Sequence, residues 1–433
     1  MVNIDTSTVK TTPRTNGGIA SYRMPILLCC AIVISFLSII HRNSDSISAA
    51  SDCILQSSTA LITNKDPDSK TSDGKKSKKP LVDLTNYKGP QTTYEPWPLR
   101  KQPFPCVQAD NNWKTVKVQR SPARTGLLYV REMKTGSSTM AGVMLRLAHR
   151  KGKELLESGP CRMRIDHSSA TKLEYARRNK KRSYMISLLR EPTKRAISQY
   201  FHFRVSEKKE DPIDENFQNY FFDDPMHRSN YYTKDLLMDN EEVDLDDDDN
   251  DKEDIIQQIL DEYNFIGITE RMDESLVVMK MLLGLDFEDI LYMSAKTNGS
   301  FTTGNMQEGN GCIYITPSFL SEGMQEFFAS DYWKEYMAYD NILYKAAVKS
   351  LDNTIEALGR DNVEAELEIF RKAQAITHDR CNARTIYRCN SKGEFVGAQN
   401  STCYMWDIGC GFDCLNEQSL SDMDLEMDEW MDE

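Results

Sequence analysis

The chain predicts an α/β protein, a mostly parallel sheet with helices on both faces. Three stretches carry that expectation, each a short apolar run followed by helical periodicity. In the first, Leu127-Leu-Tyr-Val130 precedes Met140, Val143, Met144 and Leu147, spaced i, i+3, i+4 and i+7. In the second, Tyr184-Met-Ile-Ser-Leu-Leu189 runs into a segment opened by Pro192, a residue suited to the first turn of a helix. In the third, an apolar run near residue 265 is followed by a further helical pattern to Leu285. Alternation of this kind gives strand-helix-strand units and a parallel sheet, with ligands gathered at the strands' carboxyl ends. A length of 433 residues allows one catalytic domain plus accessories.

In chain order, residues 1–23 are polar and carry Lys10, Arg14 and Arg23, and an apolar run from Met24 to Ile40 follows. Such a helix reaches about 26 Å, near the lower limit for a membrane span. The basic excess before it favours a cytoplasmic tail (1–23), an anchor (24–41) and a luminal remainder. A cleaved signal peptide ending near Ser48-Ala-Ala50 is the alternative. Residues 42–113 are rich in Ser, Thr, Asp, Lys and Pro and predict a flexible stem, in which Cys53 can link two copies as a dimer or stay free.

The expected catalytic domain covers 114–375. Its first strand ends in Lys134-Thr-Gly-Ser-Ser-Thr139, a basic, hydroxyl-rich loop aimed at a helix N-terminus, where unpaired N–H groups suit an anion. Taken alone, the loop is either an anion site or a solvated turn. Its order differs from a nucleotide triphosphatase loop, because Lys134 precedes Gly136. The second strand ends at Arg190, with Ser198 about two turns along the next helix, so both can meet one phosphate. Residues 239–254 hold 11 Asp or Glu in 16 positions and predict a solvated, mobile insertion that lacks the ligand spacing of a calcium loop.

Charge is uneven. The formal net charge is −13, yet residues 100–209 hold 26 Lys and Arg against 8 Asp and Glu. That basic part can draw in an anionic cofactor, and an acidic acceptor as well, or it is a solvated surface around the cofactor alone. Residues 376–433 form a cysteine-rich, finally acidic segment with Cys381, Cys389, Cys403, Cys410 and Cys414, which read as disulfides because the anchor places them in an oxidising compartment. Nine cysteines lie beyond the apolar run, so at least one is left over. Asn298-Gly-Ser300 and Asn400-Ser-Thr402 are N-glycosylation acceptors.

The pairing of Lys134-Thr-Gly-Ser-Ser-Thr139 with Arg190-Glu-Pro192 and Ser198 resembles the two signatures of Golgi carbohydrate sulfotransferases, of the heparan sulfate 2-O-sulfotransferase and galactose 3-O-sulfotransferase types. Tyr263-Asn-Phe-Ile-Gly-Ile-Thr-Glu-Arg-Met-Asp-Glu-Ser-Leu276 and Asp340-Asn-Ile-Leu-Tyr344 resemble a later strand-turn-helix and helix of that family. The resemblance runs from about Thr125 to Leu358. Met133 stands where Pro or His often precedes the Lys, and Glu191 replaces the commoner Asp. It implies a P-loop-like sheet and a donor, 3′-phosphoadenosine 5′-phosphosulfate (PAPS). Lys134, Thr135, Gly136, Ser137, Ser138 and Thr139 would hold the 5′-phosphosulfate, with Lys134 also catalytic, and Arg190 and Ser198 would hold the 3′-phosphate. His167 lies where the family often places its proton-accepting histidine, with Asp166 for the usual Gly. His41, His149, His202, His227 and His378 fit that role less well, and Glu132 and Glu191 are carboxylate substitutes.

The expected reaction is sulfuryl transfer to a sugar hydroxyl in the Golgi lumen, without a required metal. The partners are a carbohydrate acceptor, acidic or neutral, and the membrane, and not nucleic acid. Two rivals remain: a luminal P-loop kinase using ATP, for which no magnesium-holding Asp motif is seen at a strand end, and a non-catalytic glycan-binding relative.

Overall fold

The computed structural model describes residues 102–109, 124–156, 159–223, 228–238, 245, 252–296, 299–303, 311–421 and 423. The anchor at 24–41, nearly all of the stem with Cys53, most of 239–254, Asn298 and nearly all of the acidic end lie outside the described residues. No helix among the described residues is long and apolar enough to cross a membrane.

Four parallel strands form the sheet: β1 (Gly126–Val130), β2 (Met163–Asp166), β3 (Ser183–Leu189) and β4 (Phe265–Ile268), in the order β2-β1-β3-β4. Every residue of β1, β3 and β4 is buried, as continuous apolar runs covered on both faces require. Helix α1 (Ser137–Leu155) follows β1, α2 (Pro192–Tyr200) follows β3 and α6 (Met272–Leu283) follows β4, so all three expected units exist. The strand not anticipated is β2. It is an edge strand of four residues, two of them Arg164 and Asp166, and too short and polar for a periodic signal.

Between β3 and β4 lie α3 (Asp214–Asp223), α4 (Tyr231–Leu236) and α5 (Lys252–Glu262). The acidic stretch therefore gives way to helix at Lys252, and Glu253 and Asp254 sit in the first turn, where carboxylates oppose the positive end of the helix dipole. Leu245, inside that stretch, is buried in the main core. After β4 come α7 (Phe287–Ile290), the hairpin β5 (Ser300–Thr302) and β6 (Cys312–Tyr314), and helices α8 (Glu322–Ala329), α9 (Asp331–Tyr336), α10 (Ala338–Leu358) and α11 (Arg360–Asn382). From α10, the Asp340 carboxylate accepts from the N–H groups of Tyr232 and Thr233 and from the Thr233 hydroxyl, each at 2.9 Å, and so ties down the start of α4. A second apolar cluster joins α2, α3, α8 and α9 through Tyr200, Phe217, Phe221, Phe327 and Trp333.

The cysteine-rich end is part of the body. Helix α11 runs through position 376, where a boundary was expected, and Cys389 pairs with Cys312 of β6. Cys381–Cys414, Cys403–Cys410 and Cys106–Cys161 complete four disulfides. The hairpin β7 (Cys403–Met405) and β8 (Ile408–Cys410) lies on α1, so close that a side chain at Gly142 would meet the Gly409 nitrogen at 3.1 Å. Below it, the buried Arg146 of α1 donates to the carbonyls of Leu291 (2.8 Å), Glu288 and, from α12 (Phe412–Glu417), Leu415. Satisfying a buried guanidinium from two directions fixes α1 against the C-terminal segment.

Candidate active site

At the carboxyl edge of the sheet the chain leaves β1 and turns tightly before α1. Lys134 (φ 67°) and Gly136 (φ 72°) both take left-handed conformations, and Gly136 stands at the N-cap of α1. A side chain at Gly136 would press on Met272 at 3.3 Å, so glycine serves both the turn and the close approach. No side chain caps α1, which leaves its first N–H groups for a ligand.

Thr269 holds this turn. Its hydroxyl lies 2.6 Å from the Thr135 carbonyl and 2.9 Å from that of Leu189, tying the first loop to the end of β3. Its neighbour Glu270 accepts from the Glu191 N–H (3.1 Å) and the Tyr344 hydroxyl (3.2 Å). The Thr269-Glu270-Arg271 turn is thus a brace between the Lys134 loop and the Arg190 loop.

A cleft of about 680 Å³ opens above. Its lining contains Lys134, Gly136, Ser137, Ser138, Thr139, His167, Arg190 and Ser198, so one cavity brings together every expected site residue but one. The exception is Thr135. It is buried, does not line the cleft, and donates its hydroxyl to the Glu132 carbonyl at 3.1 Å. Arg190 reaches across to the Lys134 carbonyl (3.3 Å), while its own backbone is held by the Tyr232 hydroxyl.

The cleft also contains Arg131 and Lys296, which sequence reasoning missed. Arg131 donates to the Ser138 hydroxyl at 2.7 Å. Lys296 lies in the connection before β5, far from either signature. Burial, then the charges of Lys296 and Arg190, push the Lys134 ammonium down to about 7, and burial and Arg131 push Lys296 down to about 8. Among the described residues no carboxylate lies within ion-pairing distance of Lys134, Arg190 or Lys296. Glu207 and Asp407 offset the lysines only from further away. Cations held together without an ion-paired carboxylate suit an anion.

Two histidines line it. His167 donates from Nδ1 to the Arg131 carbonyl at 2.6 Å, which leaves Nε2 as the acceptor of the neutral ring. The residue keeps contact with solvent, yet desolvation, then the charges of Arg131 and Lys296, hold it well below the usual range, at about 3. The second is His202, one of the histidines that by sequence fit the base role less well. The helix after Ser198 widens into a π-helical segment, Phe201–Glu207, and His202 faces the cleft from it. His149, by contrast, stacks on Tyr404 at the other end of α1.

The carboxylate substitutes are placed elsewhere. Glu191 caps α2, accepting from the N–H groups of Thr193 (3.0 Å) and Lys194 (2.7 Å). Glu132 is buried away from the cleft, where desolvation, then the nearby Asp235, raise its carboxyl well above the ordinary range.

A family model described as galactose-3-O-sulfotransferase matches residues 163–386, just over half of the chain. The match contains Arg190, Ser198, both cleft histidines and Lys296, and it begins after the Lys134 loop. No curated protein and no solved structure gives a significant match.

Proposed function

The chain belongs to the galactose-3-O-sulfotransferase family and transfers a sulfuryl group to carbohydrate, and from that premise we propose that its donor is PAPS, bound in the cation-lined cleft. One observation carries the reading: Lys134, Arg190 and Lys296 face one cavity with no carboxylate paired to them, beside an uncapped helix N-terminus. A donor with anionic groups at both ends supplies the missing counter-charge. Lys134 and the first N–H groups of α1 would take the 5′-phosphosulfate, with Ser137, Ser138 and Thr139 around it. Arg190 and Ser198 would take the 3′-phosphate.

The chemistry asked of these residues is electrostatic. Negative charge grows on the departing phosphate, and fixed cations and N–H groups in a partly desolvated cleft stabilise it with little reorganisation. The acceptor hydroxyl must lose its proton as the new bond forms, and a neutral cleft histidine is the suitable base; motif order assigns that role to His167. The acceptor proposed here is a terminal galactose, after the family's name. The site is proposed to work in the Golgi lumen behind the anchor at 24–41. Four disulfides among the described residues support an oxidising compartment. Protease treatment of sealed microsomes should spare everything beyond the anchor if this placement holds.

The decisive experiment is incubation of the purified protein with radiolabelled PAPS and a panel of glycans with and without terminal galactose. Calorimetry with adenosine 3′,5′-bisphosphate, AMP and ATP accompanies it. Label should pass to a galactose-terminated glycan and the bisphosphate should bind best. Arg190→Ala should erase that preference, since loss of a charge-assisted contact in such a site costs about 2 to 5 kcal/mol. Equal binding of ATP and the bisphosphate, with no labelled glycan, would support a kinase instead.

A further inference from the structure

Among the described residues His202 has a carboxylate within ion-pairing distance of its ring, and His167 does not. The His202 Nε2 stands 3.7 Å from Oε1 of Glu207, five residues along the same π-helical segment. The ring stacks on Phe301 at 4.2 Å and 28°, and only 10% of the side chain is exposed. The charged groups facing it from other elements are Lys134, from the first loop, and Lys296, from the connection before β5. The same two lysines act on Glu207, which does not itself line the cleft.

We infer that His202, backed by Glu207, is the residue that takes the acceptor's proton. This rests on the sulfotransferase reading above and changes which histidine carries the proton. A carboxylate facing Nε2 favours the tautomer with the proton on that nitrogen, which leaves the Nδ1 lone pair as the acceptor. In the reaction the acceptor oxygen bonds to sulfur. The sulfur–oxygen bond to the donor's 5′-phosphate breaks, with its electron pair left on the phosphate beside Lys134. The hydroxyl proton passes to Nδ1 of His202, and Glu207 offsets the imidazolium charge.

His167 lacks that support. Its hydrogen-bond partner is a backbone carbonyl, and the charges of Arg131 and Lys296 oppose an imidazolium more strongly than Asp166 favours it. In the donor-free protein burial, Lys134 and Lys296 hold His202 in the neutral form. The negative charge of a bound donor offsets both lysines and raises the affinity of the ring for a proton, so the base is strongest when the donor is in place.

The test uses the full chain with PAPS and a galactose-terminated acceptor. His202→Ala should lower kcat by about a hundredfold or more while adenosine 3′,5′-bisphosphate still binds. Added imidazole should restore part of the turnover. Glu207→Gln keeps the shape of the side chain and removes the charge, so it should lower kcat and move the acid limb of the kcat profile to lower pH. A merely structural role would not move that limb. The inference is overturned if His202→Ala keeps near wild-type kcat, if imidazole rescues His167→Ala and not His202→Ala, or if Glu207→Gln leaves the acid limb in place. Failure of the wild-type protein to use PAPS would instead sink the function from which the inference starts.

Discussion

Lys134 shows how a desolvated cleft cation can weaken the fold that holds it. Its ammonium is pushed down to about 7 by burial and by Lys296 and Arg190, whereas an unfolded chain keeps that proton to about 10.5. Between those values the unfolded state binds more protons, so the contribution to stability rises with pH. Below 7 the destabilisation is fully present. Lys134→Met should therefore raise the melting temperature by a few degrees in donor-free protein, more at pH 6 than at pH 9, and lower kcat by about a hundredfold or more. Calorimetric scans at both pH values check the first part, and a lower melting temperature at pH 6 would contradict it. The same shift governs the ligand. Affinity for adenosine 3′,5′-bisphosphate should fall as pH climbs from 7 to 9, with proton uptake on binding, read by titration in buffers of different ionisation enthalpy. Pure proton release over that range would show that Lys134 is not the titrating group.

At the scale of elements, the brace formed by Thr269, Glu270 and Arg271 matters more than its partly exposed position suggests. It contributes no group to the cleft lining, yet the Thr269 hydroxyl reaches the carbonyls of Thr135 in the first loop and Leu189 at the end of β3, the two segments the proposed donor would bridge. Arg271 anchors the turn by pairing with Glu274 and with Asp352 of α10. Thr269→Val keeps the shape and removes the donor. Stability should drop by about 1 kcal/mol, the usual net worth of such a bond, while kcat/KM for PAPS falls about tenfold because small displacements of the loop misalign the reacting groups. Denaturant titration beside kinetics separates the two. An unchanged kcat/KM would mean that the loop keeps its position without the brace.

For the whole molecule, several of the described basic residues within 100–209 serve architecture. Arg146 satisfies carbonyls beneath α1, Arg178 donates to Ser183 and Glu262, Lys151 and Arg150 pair with Asp289, and Lys180 pairs with Glu262. What faces the cleft is a small, unpaired remainder, suited to the donor. The C-terminal segment shares in that construction, since β7 and β8 press on α1 and Cys312–Cys389 closes a separation of 77 residues. On the chain-entropy account a loop of that length stabilises by about 4.5 kcal/mol. Replacing both cysteines with serine should lower unfolding free energy by an amount of that order and reduce activity with it, measured by denaturant titration and PAPS turnover. Loss of stability with full activity would show that the segment does not support the cleft.

The sequence by itself determined what is local. Continuous apolar runs marked β1, β3 and β4, helical spacing marked α1 and α6, and the two signatures named Lys134, Gly136, Arg190 and Ser198, which line one cleft, because each signature is a contiguous stretch readable in order. Tertiary structure decided what is assembled from distant or rotated parts. The edge strand β2 carries too few apolar residues to announce itself, and disulfide pairing has no signal in spacing alone. Thr135 differs from its hydroxyl neighbours because the left-handed turn between Lys134 and Gly136 points it inward. Lys296 enters the cleft from a connection with no motif of its own. His202 enters it because the helix widens at Phe201–Glu207, and a pattern read at 3.6 residues per turn does not anticipate that change of pitch.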